Sequence, residues 1–461
     1  MTSLHEQTVT ELVELIRTRT VTCRQVVEAH LARMESLNTP IRAVTLVLGE
    51  QALAMADAAD KTPTDAHLRG IPFTIKEDLD CVGSPTTRGL RFLANALPYV
   101  DAPSVQRLKA AGAIPIGRTN TSEMGLRLDT DNPLRGRTRN PWNGALTVGG
   151  SSGGDAAAVA TGMVPLGLGG DLGGSLRAPA GACGVTTLKP TTGRIAYASS
   201  LEPQDFGMAG QLMLAVGPIT RSAADLALVF PVLAGRDIRD PRSVDAPLKG
   251  PTPDEKRAAL VTSLPGGALP ADIRAAVERA GKILEESGWA VEEADPPELE
   301  RVNEVWHKIV ATDFSAQLQL LRPVLSPPLY DHMARVCGTA GLDGVSNLRL
   351  HSERSRLMRA WSGFMAEYPV VIGPNWAAPL WPVDSDLDPK RGLELLKETT
   401  RFMLPGNALG LPCVALPMGV ANGLPTGIQV YADLWREDLC LEVARLIEVA
   451  VGFKMPMEPV F

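Results

Sequence analysis

The sequence contains few of the residues from which metal centres and disulfide frameworks are built. Of its 461 residues, six are cysteine and six are histidine. The cysteines are scattered along the chain without a Cys-x-x-Cys pair, so neither a zinc site nor a set of disulfide bonds is expected. Free buried thiols in a reducing cytoplasm are the favoured interpretation.

The chain also lacks blocks of like charge and long apolar runs. Its net charge is −7, and no five consecutive residues carry the same sign. A nucleic-acid partner would need a basic stripe and a membrane surface a polybasic patch, and neither is present. The sequence has no run of about 18 uncharged apolar residues and begins without the features of a signal peptide. We therefore predict a cytoplasmic protein with no membrane and no nucleic-acid partner.

The residues that are abundant predict a large α/β fold. Apolar residues make up 45% of the chain and aromatic residues only 5%, so small aliphatic side chains must build most of the core. Short apolar runs of strand type, such as 43–48, 71–75 and 113–117, alternate with helical patterns. This alternation predicts one domain over residues 1–461, with a central mixed β-sheet covered by helices on both faces.

Two parts of this domain differ from the alternating pattern. Residues of about 1–40 are predicted to form a helical layer, in which Thr22 and Gln25 make a capping box. Residues of about 297–365 are predicted to form a mostly helical insertion or cap. Residues 178–188 are also predicted to be helical. The loop over 373–389 carries Trp376 and Trp381, for which core packing is the more common role and a place at the substrate entrance is the alternative.

Two serines and a lysine carry the functional signal. Ser151 and Ser175 lie in one glycine-dense stretch, and Lys76 follows the apolar run 71–75. A serine nucleophile needs a base, and none of the six histidines lies in a glycine-rich or strand-end setting. A lysine can serve if it is neutral. Its ordinary pKa is about 10.4, burial favours the neutral form, and the neighbouring Glu77 and Asp78 would oppose it.

The glycines beside Ser175 fit a site for a developing negative charge. The backbone N–H groups of Leu172, Gly173, Gly174 and Ser175 could form a nest of donors, because glycine reaches backbone conformations closed to other residues. A flexible loop and a phosphate-binding loop are the alternatives. The chain has no GxxxxGK[ST] motif, which disfavours the second. The pattern therefore predicts acyl transfer, with amide hydrolysis as the first hypothesis.

The motifs resemble those of the amidase signature family. The match covers GGSSGGDAAAVATGMVPLGLGGDLGGSLRAPAGACGVTTLKPTTGRI at 149–195, GIPFTIKEDLD at 70–80 and GLPCVALPMGVANGLPTGIQV at 410–430, with a core of about 70–230. It is weakest over about 235–400. Asp155 departs from the family pattern, because many members have serine there.

The resemblance implies a role for each site residue. Ser175 would be the acyl-forming nucleophile, Ser151 the proton relay behind a cis peptide bond, and Lys76 the general base. The family spacing of 24 residues between the two serines selects Ser151 over Ser152. The amides of Leu172, Gly173, Gly174 and Ser175 would hold the oxyanion, and Gly125 would line the acyl pocket with Ser151. No metal and no cofactor would be required.

The resemblance leaves more than one function open. The first hypothesis is a monomeric or homodimeric hydrolase of a small-molecule amide, with carbamates (urethanes) and esters as further substrates of the same chemistry. The second is the glutaminase subunit of a transfer-RNA-dependent amidotransferase, which the weak match over 235–400 disfavours. The third is a scaffold without activity, which the presence of all three catalytic residues disfavours. The pocket residues come from variable loops, so the sequence does not predict the substrate.

Overall fold

The strands of the described residues form one mixed β-sheet. A computed structural model describes residues 3–62, 65–201, 205, 207–340, 343–453 and 458–460. The strands within these ranges are β1 Val44–Val47, β2 Pro72–Lys76, β3 Ile114–Thr119, β4 Leu166–Asp171, β5 Thr186–Lys189, β6 Ala215–Thr220, β7 Arg257–Leu260, β8 Ala290–Glu293, β9 Val370–Pro374, β10 Cys413–Ala421 and β11 Leu424–Tyr431. Their order in the sheet is β1-β3-β2-β4-β6-β5-β10-β11-β9-β7-β8.

Helices surround this sheet. Those of the described residues are α1 Val9–Arg17, α2 Cys23–Ile41, α3 Gly49–Lys61, α4 Pro103–Ala110, α5 Gly153–Ala160, α6 Arg177–Cys183, α7 Met208–Met213, α8 Ala223–Leu233, α9 Ala271–Glu286, α10 Leu299–Ser315, α11 Leu318–Leu321, α12 Pro327–Gly338, α13 Gly344–Glu367, α14 Gly392–Thr400, α15 Leu404–Ala408 and α16 Glu437–Val451. No helix of the described ranges is long and apolar enough to cross a membrane.

The centre of the sheet is covered on both faces. Successive side chains of a strand point to opposite faces, and every residue of β2, β3 and β4 is buried. Helices α5, α8, α9 and α16 contribute apolar side chains to the same core. The predicted fold, a mixed sheet with helices on both faces, is therefore confirmed.

The amino-terminal helices pack on this core. The inward residues of α1 and α2, such as Leu12 and Val26, belong to the main apolar cluster. The predicted capping box at Thr22 and Gln25 is present, because each side chain binds the other residue's backbone N–H. A second capping box at Thr8 and Glu11 starts α1 in the same way.

Two strands differ from the sequence predictions. The predicted helix over 178–188 is wrong in its second half, because α6 ends at Cys183 and β5 begins at Thr186. Gly184 ends the helix with a φ of 71°, after which the β-branched pair Thr186 and Thr187 favours a strand. Strand β6 has no counterpart among the predictions, since its Gly-Pro pair is unfavourable in a strand. Pairing with β4 on one side and β5 on the other holds it in the sheet.

Four helices lie in the region predicted to form a helical insertion. They are α10, α11, α12 and α13, which span 299–367 with residues 341 and 342 outside the described part. Helix α10 packs against α12, α13 and α15. A buried cluster that includes Val305, Ile309 and Trp361 joins α10 and α13 to the end of the sheet.

Candidate active site

Two parallel strands bring the predicted site residues to one edge of the sheet. Strands β2 and β4 are neighbours and run parallel, so their carboxyl ends lie on the same side. Lys76 is the last residue of β2, and β4 ends at Asp171, just before the segment 172–175. Ser151 lies two residues before the start of α5. Segments that are distant in the sequence therefore meet at this edge.

Lys76 and Ser151 are in direct contact. The Lys76 Nζ donates a hydrogen bond to Ser151 Oγ over 2.7 Å, and each residue is only 1% exposed. The peptide bond between Gly150 and Ser151 is cis. Ser152 lies differently, because its hydroxyl donates to the Gly170 carbonyl at 3.3 Å. The structure therefore places Ser151, and not Ser152, beside the lysine.

Gly125 borders the Ser151 hydroxyl. A β-carbon built at Gly125 would lie 3.2 Å from Ser151 Oγ, and the residue has a φ of 71°. A side chain at this position would be strained and would crowd the hydroxyl. Gly125 also lines the cavity described below.

Lys76 has a second polar partner in Asp78. The Lys76 Nζ lies 2.9 Å from Asp78 Oδ2. The other nearby acid, Glu77, points away from the lysine and pairs with Arg135 at 2.8 Å. Of the two acids that follow Lys76, Asp78 is therefore the one in direct contact with the amine.

Asp155 lies buried below this pair. Its Oδ1 accepts a hydrogen bond from Thr74 Oγ1 at 2.9 Å, and its Oδ2 has no hydrogen-bond partner in the described part of the chain. Burial raises the pKa of Asp155 to about 7, although Thr119, Thr74 and the charge of Lys76 act in the opposite direction. The departure from the family pattern thus places a second ionisable group near Lys76.

The segment 172–175, which we call the oxyanion loop, is held by Asp171. The carboxylate accepts hydrogen bonds from the N–H groups of Gly174 at 2.8 Å and Leu176 at 3.1 Å. It also pairs with Arg177 at 3.0 Å. Burial alone would raise the pKa of Asp171, but the Arg177 guanidinium holds it well below its usual range. Asp171 is therefore an anionic anchor for the loop.

Three of the four predicted oxyanion donors are available. The N–H groups of Leu172, Gly173 and Ser175 have no acceptor among the described residues, whereas that of Gly174 is engaged by Asp171. Ser175 itself is 7% exposed and its hydroxyl has no hydrogen bond within the described residues. The contact between Ser175 and Ser151 that a relay requires thus stays a prediction.

Ser175 opens into a cavity of about 780 Å³. The floor is formed by the loop residues Gly125 to Leu128 and by the oxyanion loop, and the opposite wall by α10, α12 and α14. The apolar part of the lining comprises Leu126, Leu128, Leu172, Trp306, Val310, Phe314, Met333, Val336, Leu393, Leu396 and Leu404. The charged part includes Glu300, Glu304, Lys308, Glu394, Lys397, Glu398 and Arg401.

Several cavity residues have no signal in the sequence. Trp306, His307 and His332 lie in helices without a motif, and only the packing of α10 and α12 over the site reveals them. Burial lowers the pKa of both His307 and His332 to about 4, so both imidazoles are neutral at pH 7. Neither histidine is hydrogen-bonded to Ser151 or Ser175.

Trp376 and Trp381 pack in the core behind the site. Both are buried in a cluster with Leu128 and Met403, and their rings lie 5.6 Å apart. Their indole N–H groups donate to the Ala178 carbonyl and the Thr399 hydroxyl. Core packing, the more common of the two roles considered for them, is thus the one the structure shows.

The described residues contain no cluster of three or more histidine, cysteine, aspartate or glutamate side chains that could hold a metal ion. The groups at the site are instead a lysine, hydroxyls and backbone amides. Such groups can transfer protons, form an ester and bind an oxyanion.

Known proteins are similar to this chain in sequence and fold. An indoleacetamide hydrolase of Bradyrhizobium diazoefficiens is 38% identical over 445 residues, which cover 95% of this chain and 85% of the relative. A glutamyl-tRNA(Gln) amidotransferase subunit of a Roseiflexus species is 31% identical over the whole of both chains. A bacterial aryl acylamidase of the amidase signature family has a crystal structure with a TM-score of 0.85, 25% identity and coverage of 98% of this chain and 97% of its own.

The family assignment rests on sequence and structure together. The Amidase family model matches residues 25–441, a range that includes Lys76, Ser151 and Ser175. The fold of the solved aryl acylamidase covers nearly the whole chain. The chain belongs to the Amidase family, the amidase signature family that its motifs resemble.

Proposed function

We propose that the protein hydrolyses the C–N bond of small-molecule amides through an acyl-enzyme at Ser175. The buried hydrogen bond between Lys76 and Ser151, beneath a cavity that exposes Ser175, carries the proposal. The names of two relatives, an indoleacetamide hydrolase and an aryl acylamidase, support it.

The geometry supports a two-step reaction. In its neutral form, Lys76 takes the proton of Ser151 while Ser151 takes that of Ser175, whose oxygen bonds to the amide carbonyl carbon. The N–H groups of Leu172, Gly173 and Ser175 bind the oxyanion, and Gly174 acts through its bond to Asp171. The relay then protonates the amine as the C–N bond breaks. Water attacks the resulting ester along the same path and releases the acid.

The apolar part of the cavity lining favours an apolar or aromatic acyl group. Its volume is within the range of about 300–1,000 Å³ typical of small-molecule sites. Leucine, phenylalanine and tryptophan side chains line it, and its histidines are neutral. Indoleacetamide, the substrate in one relative's name, belongs to this class. Carbamates and esters react through the same kind of oxyanion, and we expect them to be poorer substrates than amides.

The glutaminase role is the second candidate, because a glutamyl-tRNA(Gln) amidotransferase subunit of a Roseiflexus species matches the whole chain. Glutamine would bring a carboxylate and an ammonium into the cavity. Arg127 is the cation of the Gly125–Leu128 floor. It is already paired with Asp384 at 2.9 Å and Asp386 at 2.8 Å. Arg127 is therefore engaged, and a substrate carboxylate would have to bind the cations of the helical wall, Lys308, Lys397 or Arg401.

The test is a substrate screen of the purified protein. Indoleacetamide, aryl acylamides, aryl carbamates, esters and L-glutamine are compared by product formation, and intact mass detects an acyl group on Ser175. We expect the aromatic amides to give the highest kcat/KM, and Ser175→Ala to form neither product nor adduct. Hydrolysis of glutamine alone, or undiminished hydrolysis by Ser175→Ala, would refute the proposal.

A further inference from the structure

Trp306 connects the variable helices to the oxyanion loop. Its indole Nε1–H donates a hydrogen bond to the Leu172 carbonyl oxygen at 3.1 Å. The side chain extends from α10 and lines the cavity. A β-carbon built at Gly173 would lie 2.6 Å from Cζ2 of the indole. The ring therefore rests directly on the Gly173 backbone, and only glycine leaves room for it.

This hydrogen bond fixes more than a carbonyl group. The carbonyl of Leu172 and the N–H of Gly173 belong to one peptide unit, which is planar and trans, so the two groups point in opposite directions. A partner that holds the carbonyl oxygen thereby sets the direction of the Gly173 N–H. That N–H is one of the three available oxyanion donors.

Asp171 does not hold this peptide unit. Its carboxylate binds the N–H groups of Gly174 and Leu176, which are farther along the chain. A peptide unit next to glycine can rotate with little steric cost, because glycine tolerates both signs of φ. The unit between Leu172 and Gly173 would therefore be the least restrained part of the oxyanion loop without the indole.

We propose that Trp306 is a positioning residue that holds the Leu172–Gly173 peptide unit in the orientation required for oxyanion binding. The inference rests on the proposed amide hydrolysis. Trp306 lies in α10, within the region 235–400 where the resemblance to the family is weakest. A variable helix therefore sets part of the oxyanion geometry. The helix that forms the substrate wall thus also aligns a catalytic donor.

The test replaces the indole by a ring without the N–H group. Loss of one oxyanion donor lowers kcat by about 100- to 1,000-fold. Trp306→Phe leaves the donor present but unrestrained, so we expect kcat to fall by about tenfold with KM within about twofold of the wild-type value. The rate at which a fluorophosphonate labels Ser175 should fall in parallel, because the phosphoryl oxygen of the probe occupies the oxyanion site.

Trp361→Phe is the matched control. Trp361 is buried and likewise donates its indole N–H to a backbone carbonyl, that of Pro297 at 2.8 Å, but it does not line the cavity. Its replacement should leave kcat and the labelling rate unchanged. Thermal denaturation of all variants shows whether they fold. If Trp306→Phe does not fold, Gly173→Ala tests the same contact, because its methyl group would displace the ring, and the same loss of kcat is expected.

The outcomes separate the two proposals. Wild-type labelling at Ser175 with an unchanged rate in Trp306→Phe would overturn the positioning role and leave the proposed function intact. A rise in KM alone would also overturn it, since Trp306 would then only contact substrate. A wild-type protein that is neither labelled nor active on any amide would refute the proposed function itself.

Discussion

The buried amine of Lys76 lies beside the half-buried carboxylate of Asp78, with 2.9 Å between Nζ and Oδ2. The carboxylate stabilises the ammonium by direct Coulomb attraction. The proposed base, however, must be neutral to take the proton of Ser151, whose Oγ is 2.7 Å from the same nitrogen. Asp78 and Ser151 therefore share one amine, and the carboxylate helps to hold the nitrogen that the hydroxyl contacts.

The first prediction follows from this shared contact. Asp78→Asn removes the negative charge that attracts the Lys76 amine but keeps the size of the side chain, so the amine is held less firmly beside Ser151. We expect kcat to fall by roughly tenfold, because the reacting groups lose part of their alignment. Initial rates with one amide at a fixed pH measure the loss.

Asp101→Asn provides the control for this loss. Asp101 also pairs with a lysine, Lys109, at 2.9 Å, but at a distance from the site. Its replacement should leave kcat unchanged. A kcat of Asp78→Asn equal to that of the wild type would show that Asp78 does not position the Lys76 amine.

The second prediction separates the two adjacent serines. Ser151→Ala removes the hydroxyl that contacts Lys76, whereas Ser152→Ala removes a hydroxyl that binds the Gly170 carbonyl. General acid–base catalysis contributes about 100- to 10,000-fold, so Ser151→Ala should lower kcat by that order. Ser152→Ala should lower it by less than about tenfold, since it loses one hydrogen bond of about 1 kcal/mol. Steady-state rates with one amide compare them, and equal losses would contradict the assignment.

The proposed catalytic residues can be identified from the sequence alone because they lie in short motifs at the ends of strands. Lys76 ends β2, and the two glycine clusters flank α5 and β4, so the motifs alone place the lysine and both serines. The pairing of β2 with β4 then brings them together. The sequence does not show which of the two adjacent acids, Glu77 or Asp78, approaches the Lys76 amine. That depends on the direction of each side chain.

The cavity wall could not be predicted in this way. Trp306, His332 and Thr400 come from three helices that are separated by tens of residues, and each has an ordinary helical pattern around it. Their approach to Ser175 results from tertiary packing. Strand β6 shows the same limit, because its Gly217 and Pro218 disfavour a strand until neighbours on both sides supply hydrogen bonds.

The third prediction concerns stability and Asp155. Burial raises the pKa of this carboxyl from 3.8 to about 7 in the folded protein. The contribution of Asp155 to the free energy of unfolding is therefore fully present below pH 3.8 and is lost as the pH rises to about 7. The reason is that this carboxyl ionises at a lower pH in the unfolded chain than in the folded protein. Asp155→Asn removes this loss. We expect the Tm of the variant, relative to wild type, to increase by several degrees between pH 4.5 and pH 8.

Differential scanning fluorimetry of both proteins across this pH range tests the effect. Other ionisable groups, such as Glu448, whose pKa burial also raises to about 7, are common to both proteins and cancel in the difference. A Tm difference that stays constant with pH, or that decreases, would show that Asp155 is ionised throughout.

The last prediction concerns the helix that carries His332 and Met333 into the cavity. The buried Glu123 carboxylate accepts a hydrogen bond from the N–H of Ser326, the residue that caps α12, at 2.8 Å. Loss of this hydrogen bond costs about 1 kcal/mol, and it acts here at the start of a helix that forms one wall of the cavity. Glu123→Ala should therefore increase hydrogen exchange in α12 and raise KM several-fold, with a smaller change in kcat.

Asp343→Ala is the matched change at a helix away from the cavity. Asp343 caps α13 by accepting the N–H of Ser346 at 2.7 Å. Its loss should increase exchange at the start of α13 and leave KM unchanged, because that end of α13 does not line the cavity. Hydrogen exchange, measured by mass spectrometry, is compared with KM for one amide in both variants and in the wild type. If α12 loosens in Glu123→Ala without any rise in KM, the position of α12 does not set substrate affinity, and His332 and Met333 are walls that the substrate does not touch.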